Sequence, residues 1–333
     1  MNTAIIGAGL MCKRRAPALI ESSNSDLKVI SSKHFSDAEV MASRFNCEAV
    51  RDWNDVIKRD DIDVVIVSTP PHVHAEISIA AMKAGKHVLC EKPLSKTIEE
   101  SEAMVKAAIE NNVILKCGFN HRHHPAIFKG KKLLEAGEIG RPLFSRCIYG
   151  ICGRPDYQKE WRADPNQAAG GQFIEQGSHA IDLFRWFLGD LKSVSCLTSR
   201  LFFKDQPLDE SGMAIFKSSC GANASLHTTL TQWKNTFQFE VFGEDGYLII
   251  EGLGSSYGVE KLIFGKRDFE GPFSEQVTEF RRGDISWGEE WLEFTNAIKE
   301  NRQPIGNGSD GLEVMKIALA AYKSEKEKKM IYF

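Results

Sequence analysis

The first 120 residues alternate between short apolar runs and segments with helical periodicity. The runs are TAIIG, LKVIS, DVVIVST, KHVLC and VILKCGF, and the segments between them include HAEISIAAMKAG and TIEESEAMVKAAIENN. Strands that alternate with helices predict β-α-β units, whose strands are parallel and whose crossovers are right-handed. We therefore expect an α/β domain built on a parallel sheet, which binds ligands at the carboxyl ends of its strands.

The pattern changes after about Pro125. A helical segment, AIFKGKKLLEAG, precedes the strand-like PLFSRCIYGI, a polar loop and a predicted helix from Gly177 to Leu188. Apolar runs with short turns between them then follow, which predicts an antiparallel sheet: SVSCLTSRLFF, GMAIFKSS, GANASLHTTLT, TFQFEVFG and GYLIIEG. Two helical patterns, WGEEWLEFTNAIKEN and DGLEVMKIALAAYKSEKEKK, complete the chain. Because 333 residues exceed one ordinary core, we predict two domains, 1–120 and 121–333.

Composition narrows the choice of partners. A net charge of −3 provides no basic bias for binding nucleic acid. Basic residues follow the first apolar run, which is the reverse of a secretory signal, and no apolar run approaches the roughly eighteen residues that a membrane span needs. The eight cysteines form no CxxC pair, which favours reduced thiols. We expect a cytoplasmic protein with a small-molecule partner, bound to neither nucleic acid nor membrane.

The first predicted strand runs into a G-x-G-x-x-C version of the Rossmann dinucleotide fingerprint. Gly7 would permit the tight turn, Gly9 would let the backbone approach a pyrophosphate, and the next helix would direct its N-terminal amides at that anion. Cys12 takes the third glycine's place. The alternative is a glycine-rich turn without a ligand, but its position in a β-α-β series favours a dinucleotide site made by Gly7, Gly9, Leu10, Met11 and Cys12.

Two further strand ends are predicted to line the cofactor. An acid at the end of the second strand would accept hydrogen bonds from the ribose and select NAD. The hydroxyls of Ser31 and Ser32 and the cation of Lys33 stand there instead and favour NADP. The alternative is that Lys33 is simply an exposed loop residue. After the DVVIV strand, STPPHVHAE places a stiff turn at the carboxyl end of the sheet. The cofactor candidates at these two places are Ser31, Ser32, Lys33, Thr69, Pro70 and His74.

The KHVLC strand ends in Glu91, Lys92 and Pro93, which by themselves mark an ordinary exit into a loop. Taken with GAGLMC, STPPHVHAE, GFNHRHHPA and WRADPNQAAGGQFIEQGSHAIDLFRWFLG, however, CEKPLSK resembles the glucose-fructose oxidoreductase, inositol 2-dehydrogenase and MocA family over essentially the whole chain. The resemblance implies an N-terminal Rossmann domain and a C-terminal α/β domain with an open, mainly antiparallel sheet that mediates oligomers. It also implies oxidation or reduction of a carbinol with NAD or NADP, usually on a sugar, an inositol or a sugar derivative.

The same resemblance assigns residues near the nicotinamide. Lys92 matches the lysine of the family's E-K-P turn, which lies beside the nicotinamide and the substrate, and Pro93 matches a proline that often follows a cis peptide. Glu91 and Asn120 are expected beside the cofactor. Arg122 is expected to hold a substrate carboxylate or a structural one.

A second set of candidates lies in WRADP and FIEQGSHAID. Glu175 and His179 are four residues apart, so a helix would place them on one face, with His179 as the catalytic acid or base. The family generally has Asp where this chain has Glu175, which leaves open whether that carboxylate orients the imidazole, contacts substrate or does neither. Trp161 and Arg162 match a loop that covers nicotinamide and substrate.

These residues predict that Lys92 and His179 handle the proton of a secondary alcohol while hydride moves to or from the cofactor. A non-catalytic cofactor-binding sensor or scaffold of the same fold is the alternative from another class. Within enzymes, a sugar phosphate or nucleotide sugar remains open, because Arg154, Lys159 and Arg162 could bind phosphate.

Two expectations concern metal ions and self-association. The HRHH run indicates no metal site, because adjacent side chains point in different directions, and hydride transfer needs no metal. Alternating Phe237, Phe239 and Val241 predict an exposed apolar sheet face, which favours a homo-oligomer, either a dimer or a tetramer.

Overall fold

The computed structural model describes residues 1–271 and 274–333. The chain forms two compact units. The first unit consists of Met1–Asn120, Asn166–Ala169 and Trp287–Met315, and the second consists of His121–Pro165, Gly170–Ser286 and Lys316–Phe333. Neither unit is therefore one continuous stretch of sequence.

The first unit contains strands and helices in regular alternation. In chain order they are β1 (Asn2–Ile6), α1 (Cys12–Ile20), β2 (Asp26–Ser31), α2 (Phe35–Phe45), β3 (Glu48–Val50), α3 (Trp53–Ile57), β4 (Val64–Val67), α4 (His74–Lys83), β5 (His87–Cys90), α5 (Ile98–Glu110) and β6 (Leu115–Cys117). The strands form one parallel sheet in the order β3-β2-β1-β4-β5-β6, which confirms the predicted Rossmann-type fold. The sequence patterns did not indicate α2, β3 or α3, and β3 has only three residues, too few to show a period.

The remaining elements build the second unit, apart from α9 and the first residues of α10, which belong to the first unit. In chain order they are α6 (Pro125–Glu135), β7 (Pro142–Cys152), α7 (Gln172–Glu175), α8 (Gly177–Leu188), β8 (Leu191–Ser199), β9 (Ser211–Ser218), β10 (Asn223–Thr229), β11 (Thr231–Gly243), β12 (Gly246–Glu251), β13 (Glu260–Lys266), β14 (Glu275–Phe280), α9 (Ser286–Lys299), α10 (Gly308–Glu327) and β15 (Ile331–Tyr332). The sheet order is β14-β13-β12-β11-β7-β10-β9-β8-β15. All neighbours are antiparallel except β7 and β10, so the predicted mainly antiparallel sheet is confirmed.

Helix α8 covers one face of this sheet. The rings of Phe184 and Phe187 lie 5.6 Å and 5.1 Å from the Phe239 ring. Phe237, Phe239 and Val241 are 2 %, 0 % and 0 % exposed, so the prediction that they form an exposed face was wrong. A two-residue period reveals two faces of a strand but not which one a helix covers. The predicted strand SVSCLTSRLFF is also shorter than expected, since β8 ends at Ser199.

Helix α9 contributes to the core of the first unit. Trp291 and Phe294 belong to the same buried cluster as Ile5 and Ile66, and Trp291 Nε1 donates to Ser25 Oγ at 2.8 Å. An apolar stripe on α9 therefore packs in one core with Ile5 and Ile66, which are more than 200 residues away in sequence. No helix in the described ranges combines the length and apolar character that a membrane span requires.

Candidate functional site

The turn after β1 uses its two glycines differently. Gly7 has φ +111°, and a Cβ there would lie 2.6 Å from the backbone of Ser68, so the fold itself requires glycine. Its N–H donates to the Ser31 carbonyl at 2.8 Å, which joins the ends of β1 and β2. At Gly9, a Cβ would meet no atom of the described chain within 4 Å. The fold does not need a glycine at position 9, whereas the close approach of a ligand to this backbone would need one.

The start of α1 suits an anion. Its first turn carries no acidic side chain, so the positive end of the helix dipole is not neutralised. Leu10 is 49 % exposed, and Met11 is the N-cap residue. Cys12 is fully buried in the core, where burial and the nearby Cys47 raise the pKa of its thiol to about 12. Cys12 thus fills the third glycine's place as a neutral packing group.

The end of β2 has a cation that the sequence patterns missed. Ser31 is buried, and its hydroxyl donates to the carbonyl of Arg51 at 3.4 Å, while Ser32 is half-buried and Lys33 exposed. Arg51 directly follows β3, and its guanidinium lies 5.0 Å from the Phe35 ring centroid. Because three-residue β3 was not recognised, nothing indicated that Arg51 lies beside Ser31.

His74 links the turns that follow β4 and β5. Its ring is buried, with Nδ1 3.0 Å from the Pro93 carbonyl oxygen and Nε2 2.8 Å from that of Thr69. The Lys92–Pro93 peptide is cis, as the resemblance implies, and Lys92 is half-buried. The predicted cofactor residue His74 therefore joins Thr69 to the turn that carries Lys92.

Glu91 belongs to a buried group of four charges in the first unit. Its Oε1 accepts from Arg15 Nε at 2.7 Å, Arg15 Nη1 also bonds Glu290, and Glu290 Oε1 lies 3.5 Å from Lys116 Nζ. Burial lowers the pKa of Arg15, but Glu290 and Glu91 outweigh this effect and raise it overall. A Cβ at Gly118 would lie 2.9 Å from both Arg15 Nη2 and Glu91 Oε2. We call Arg15, Glu91, Lys116 and Glu290 the charge quartet.

In the second unit, Arg122 and His121 contact polar residues of helix α8; both follow the buried Asn120 in sequence. Arg122 donates to both carboxylate oxygens of Asp182, at 2.8 Å and 2.6 Å, so its partner is a structural carboxylate. The His121 ring stacks on that of His179, with centroids 3.8 Å apart, and its Nε2 lies 3.0 Å from the Tyr149 hydroxyl. This stack fixes the plane of the predicted catalytic imidazole. No sequence pattern indicated that His121 would stack on His179, because the two residues are 58 positions apart.

Glu175 and His179 stand on different helices, since α7 ends at Glu175 and α8 begins at Gly177. The single helical face that was predicted is thus interrupted at Gln176. The Glu175 carboxylate accepts from Arg162 Nε at 3.3 Å, and the Arg162 guanidinium lies 4.3 Å from the Trp161 ring centroid. Glu175, Arg162 and Trp161, all predicted site residues, therefore meet in one cluster.

Two family models match the chain. One, described as "Oxidoreductase family, NAD-binding Rossmann fold", covers residues 1–119, and the other, the GFO/IDH/MocA C-terminal domain, covers residues 128–249. The chain belongs to the GFO/IDH/MocA family. This GFO/IDH/MocA protein is accordingly an oxidoreductase with an NAD-binding Rossmann domain, which confirms the family and the enzyme class predicted from its motifs.

Individual relatives resemble this GFO/IDH/MocA oxidoreductase over most of its length. Levoglucosan dehydrogenase of Pseudarthrobacter phenanthrenivorans is 32 % identical over 290 residues, covering 75 % of this chain and 73 % of the relative. Myo-inositol 2-dehydrogenase of Thermotoga maritima is 26 % identical over 339 residues, or 99 % and 98 % of the two chains. A structure of levoglucosan dehydrogenase with NADH and L-sorbose has a TM-score of 0.89 at 27 % identity, covering 100 % and 98 % of the two chains.

Proposed function

We propose that this protein transfers a hydride between a nicotinamide cofactor and a secondary alcohol of a sugar, an inositol or a related polyol. The observation that carries the proposal is the position of Lys92 on a turn anchored from both sides, by His74 on Pro93 and by Arg15 on Glu91. Levoglucosan dehydrogenase and myo-inositol 2-dehydrogenase, two relatives, take their names from such alcohols.

In this proposal Lys92 and His179 act on one hydroxyl. The nicotinamide, when bound, supplies the hydride acceptor or donor. The ammonium of Lys92 hydrogen-bonds the substrate oxygen and stabilises the developing alkoxide, and His179 takes the hydroxyl proton or returns it in reduction. Stacking on His121 limits rotation of the His179 ring, so the imidazole nitrogens keep one orientation.

Turnover measured at 340 nm tests these roles. Lys92→Ala should retain cofactor affinity and lower turnover at least about a hundredfold, which is the usual loss for a positioned acid or base. Lys83→Ala, an exposed lysine at the end of α4, is the matched control and should keep normal turnover. Near-normal turnover of Lys92→Ala would remove Lys92 from the mechanism. If the wild-type protein binds the cofactor but turns over no member of a broad polyol panel, the alternative of a non-catalytic sensor or scaffold would be favoured.

We further propose that a pyrophosphate lies against Gly9 and the start of α1. Gly9→Ala should fold normally, because its Cβ meets open space, yet bind NADH and NADPH at least about tenfold more weakly. Gly7→Ala is the contrasting variant and should fold poorly, since its Cβ would lie 2.6 Å from Ser68 backbone. Unchanged cofactor affinity in folded Gly9→Ala would place the cofactor elsewhere.

NADP is the cofactor that we favour over NAD. Ser32, exposed Lys33 and the neighbouring Arg51 offer one hydroxyl and two cations near the end of β2, and none of residues 31–34 is an acid that would repel a 2′-phosphate. Lys33→Ala and Arg51→Ala should each weaken NADPH binding about tenfold and NADH binding much less. Titration calorimetry with both cofactors checks this, and equal losses for NADH and NADPH would count against NADP.

We also propose self-association through the uncovered face of the second unit's sheet. Leu197, Met213 and Ile215 are 66 %, 54 % and 56 % exposed on adjacent strands, where Leu197 pairs with Met213. A contiguous apolar patch of this kind is typical of a protein interface.

A further inference from the structure

The loop between β7 and α7 compensates its own charges. Residues 153–165, all of which the structure describes, include three basic and three acidic residues. Each basic residue has a carboxylate partner. Arg154 bonds Glu160 through two nitrogens, with Nη2 2.5 Å from Oε2, and Lys159 Nζ lies 2.9 Å from Asp156. Arg162 Nη1 lies 3.5 Å from the same Glu160 carboxylate.

Among the ion pairs described for this loop, the pair made by Arg162 and Glu175 is the best shielded from water. The two side chains are 18 % and 16 % exposed, and their atoms approach to 3.3 Å. Arg162 thus lies between two carboxylates, Glu160 and Glu175, with Trp161 against its guanidinium. Arg122, the remaining arginine among the predicted substrate residues, bonds both oxygens of Asp182.

We propose that the substrate is an uncharged sugar or polyol, not a phosphate ester or a nucleotide sugar, and that Glu160 and Glu175 enforce this choice. This inference rests on the proposed function. It selects one of the substrate classes that the sequence leaves open, since Arg154, Lys159 and Arg162 are candidate phosphate ligands by residue type alone.

The physical basis is the charge that a phosphate would meet. A phosphate group carries about −1.5 to −2 charges at neutral pH, competes with carboxylates for the same arginine fork and is repelled by acidic neighbours. Here it would approach Glu160 and Glu175 together with the arginines, so attraction and repulsion largely cancel. A sugar hydroxyl both donates and accepts, so it can bond a carboxylate and a guanidinium of the same ion pair.

Matched pairs of ligands test the proposal. Binding to the cofactor-loaded enzyme is measured by calorimetry for myo-inositol against inositol 1-phosphate, and for glucose against glucose 6-phosphate and UDP-glucose, with turnover followed at 340 nm. Neutral ligands should bind at least tenfold more tightly than their phosphorylated counterparts. Equal or tighter binding of a phosphorylated ligand overturns the inference, yet its turnover would leave the oxidoreductase function standing. Selective binding of neutral ligands without turnover would support the inference about substrate charge and contradict the proposed oxidoreductase reaction.

A charge-matched pair of variants locates the effect. Glu160→Gln removes the carboxylate shared by Arg154 and Arg162. It should lower the ratio of the Kd for the phosphorylated ligand to the Kd for the neutral ligand at least fivefold. Asp156→Asn makes the same charge change on the same loop, but its partner Lys159 is 73 % exposed, so the preference should change less than twofold. Equal effects of the two variants, or none from Glu160→Gln, would contradict the assignment to Glu160.

Discussion

Replacing Glu290 by glutamine should strongly destabilise the first unit. Glu290 is fully buried and bonds Arg15 while lying 3.5 Å from Lys116, which is also fully buried. Glutamine keeps the shape and one oxygen but removes the charge. The charge quartet would then hold two cations against the single anion of Glu91. Removing one partner of a buried ion pair costs about 3–5 kcal/mol, because the remaining charge has lost its compensation inside the protein.

The expected loss is a large part of a total stability of about 5–15 kcal/mol. At about 2–4 °C per kcal/mol it corresponds to a fall in Tm of roughly 6–20 °C. Urea denaturation at pH 7, followed by circular dichroism and tryptophan fluorescence, measures the free energy. Glu289→Gln is the matched control, because Glu289 is the preceding residue in α9 and is exposed, so its loss should stay below about 1 kcal/mol.

A double variant tests the cause. Lys116→Met added to Glu290→Gln removes one cation and one anion and leaves the Arg15–Glu91 pair balanced. The double variant should be more stable than the sum of the single losses predicts, by about 0.5–3 kcal/mol. The reasoning is refuted if the free energies of unfolding of Glu290→Gln and Glu289→Gln differ by less than about 1 kcal/mol. It is also refuted if the losses from Glu290→Gln and Lys116→Met simply add in the double variant.

Three further predictions concern stability and assembly. Burial lowers the pKa of His87 from 6.5, and its Nδ1 accepts the Ile114 N–H at 3.0 Å. Just below pH 6.5 this imidazole therefore gains a proton in the unfolded chain but not in the folded one, so the free energy of unfolding falls as pH drops. His87→Asn should flatten this dependence in denaturation curves between pH 7 and 5, and an unchanged slope would disprove it. Gly118→Ala should cost about 1–3 kcal/mol by pressing on the charge quartet, whereas Gly288→Ala, which meets open space, should cost nothing; equal denaturation midpoints would contradict this. Ile215→Glu should shift the protein to a smaller species in light scattering, and an unchanged mass would exclude this sheet face as the interface.

The predicted features that hold are those encoded over short stretches. The strands of the parallel sheet appear as apolar runs because helices bury them from both faces, and β4 has four buried residues in succession. The helix Gly177–Leu188 was predicted with both ends correct, since its apolar period stops at Gly189. In the motif GAGLMC, Gly7 has the positive φ that the predicted tight turn requires, and this is a property of the local backbone.

Other features required the folded chain. Arg15 and Glu91 are 76 residues apart, and Arg15 and Glu290 are 275 apart, so no local pattern could pair them. The sequence therefore did not indicate that Glu91 pairs with Arg15 or that Glu175 pairs with Arg162. The buried face of β11 was likewise decided by the packing of α8 on Phe239.

The sequence by itself thus determined the β-α alternation of the first unit, the glycine turn after β1 and the family, because periodicity and turn chemistry act between neighbouring residues. The tertiary structure alone decided which charges compensate one another and which sheet face is left uncovered. Those outcomes depend on distances through space and on exclusion of water, which arise only when remote segments pack together.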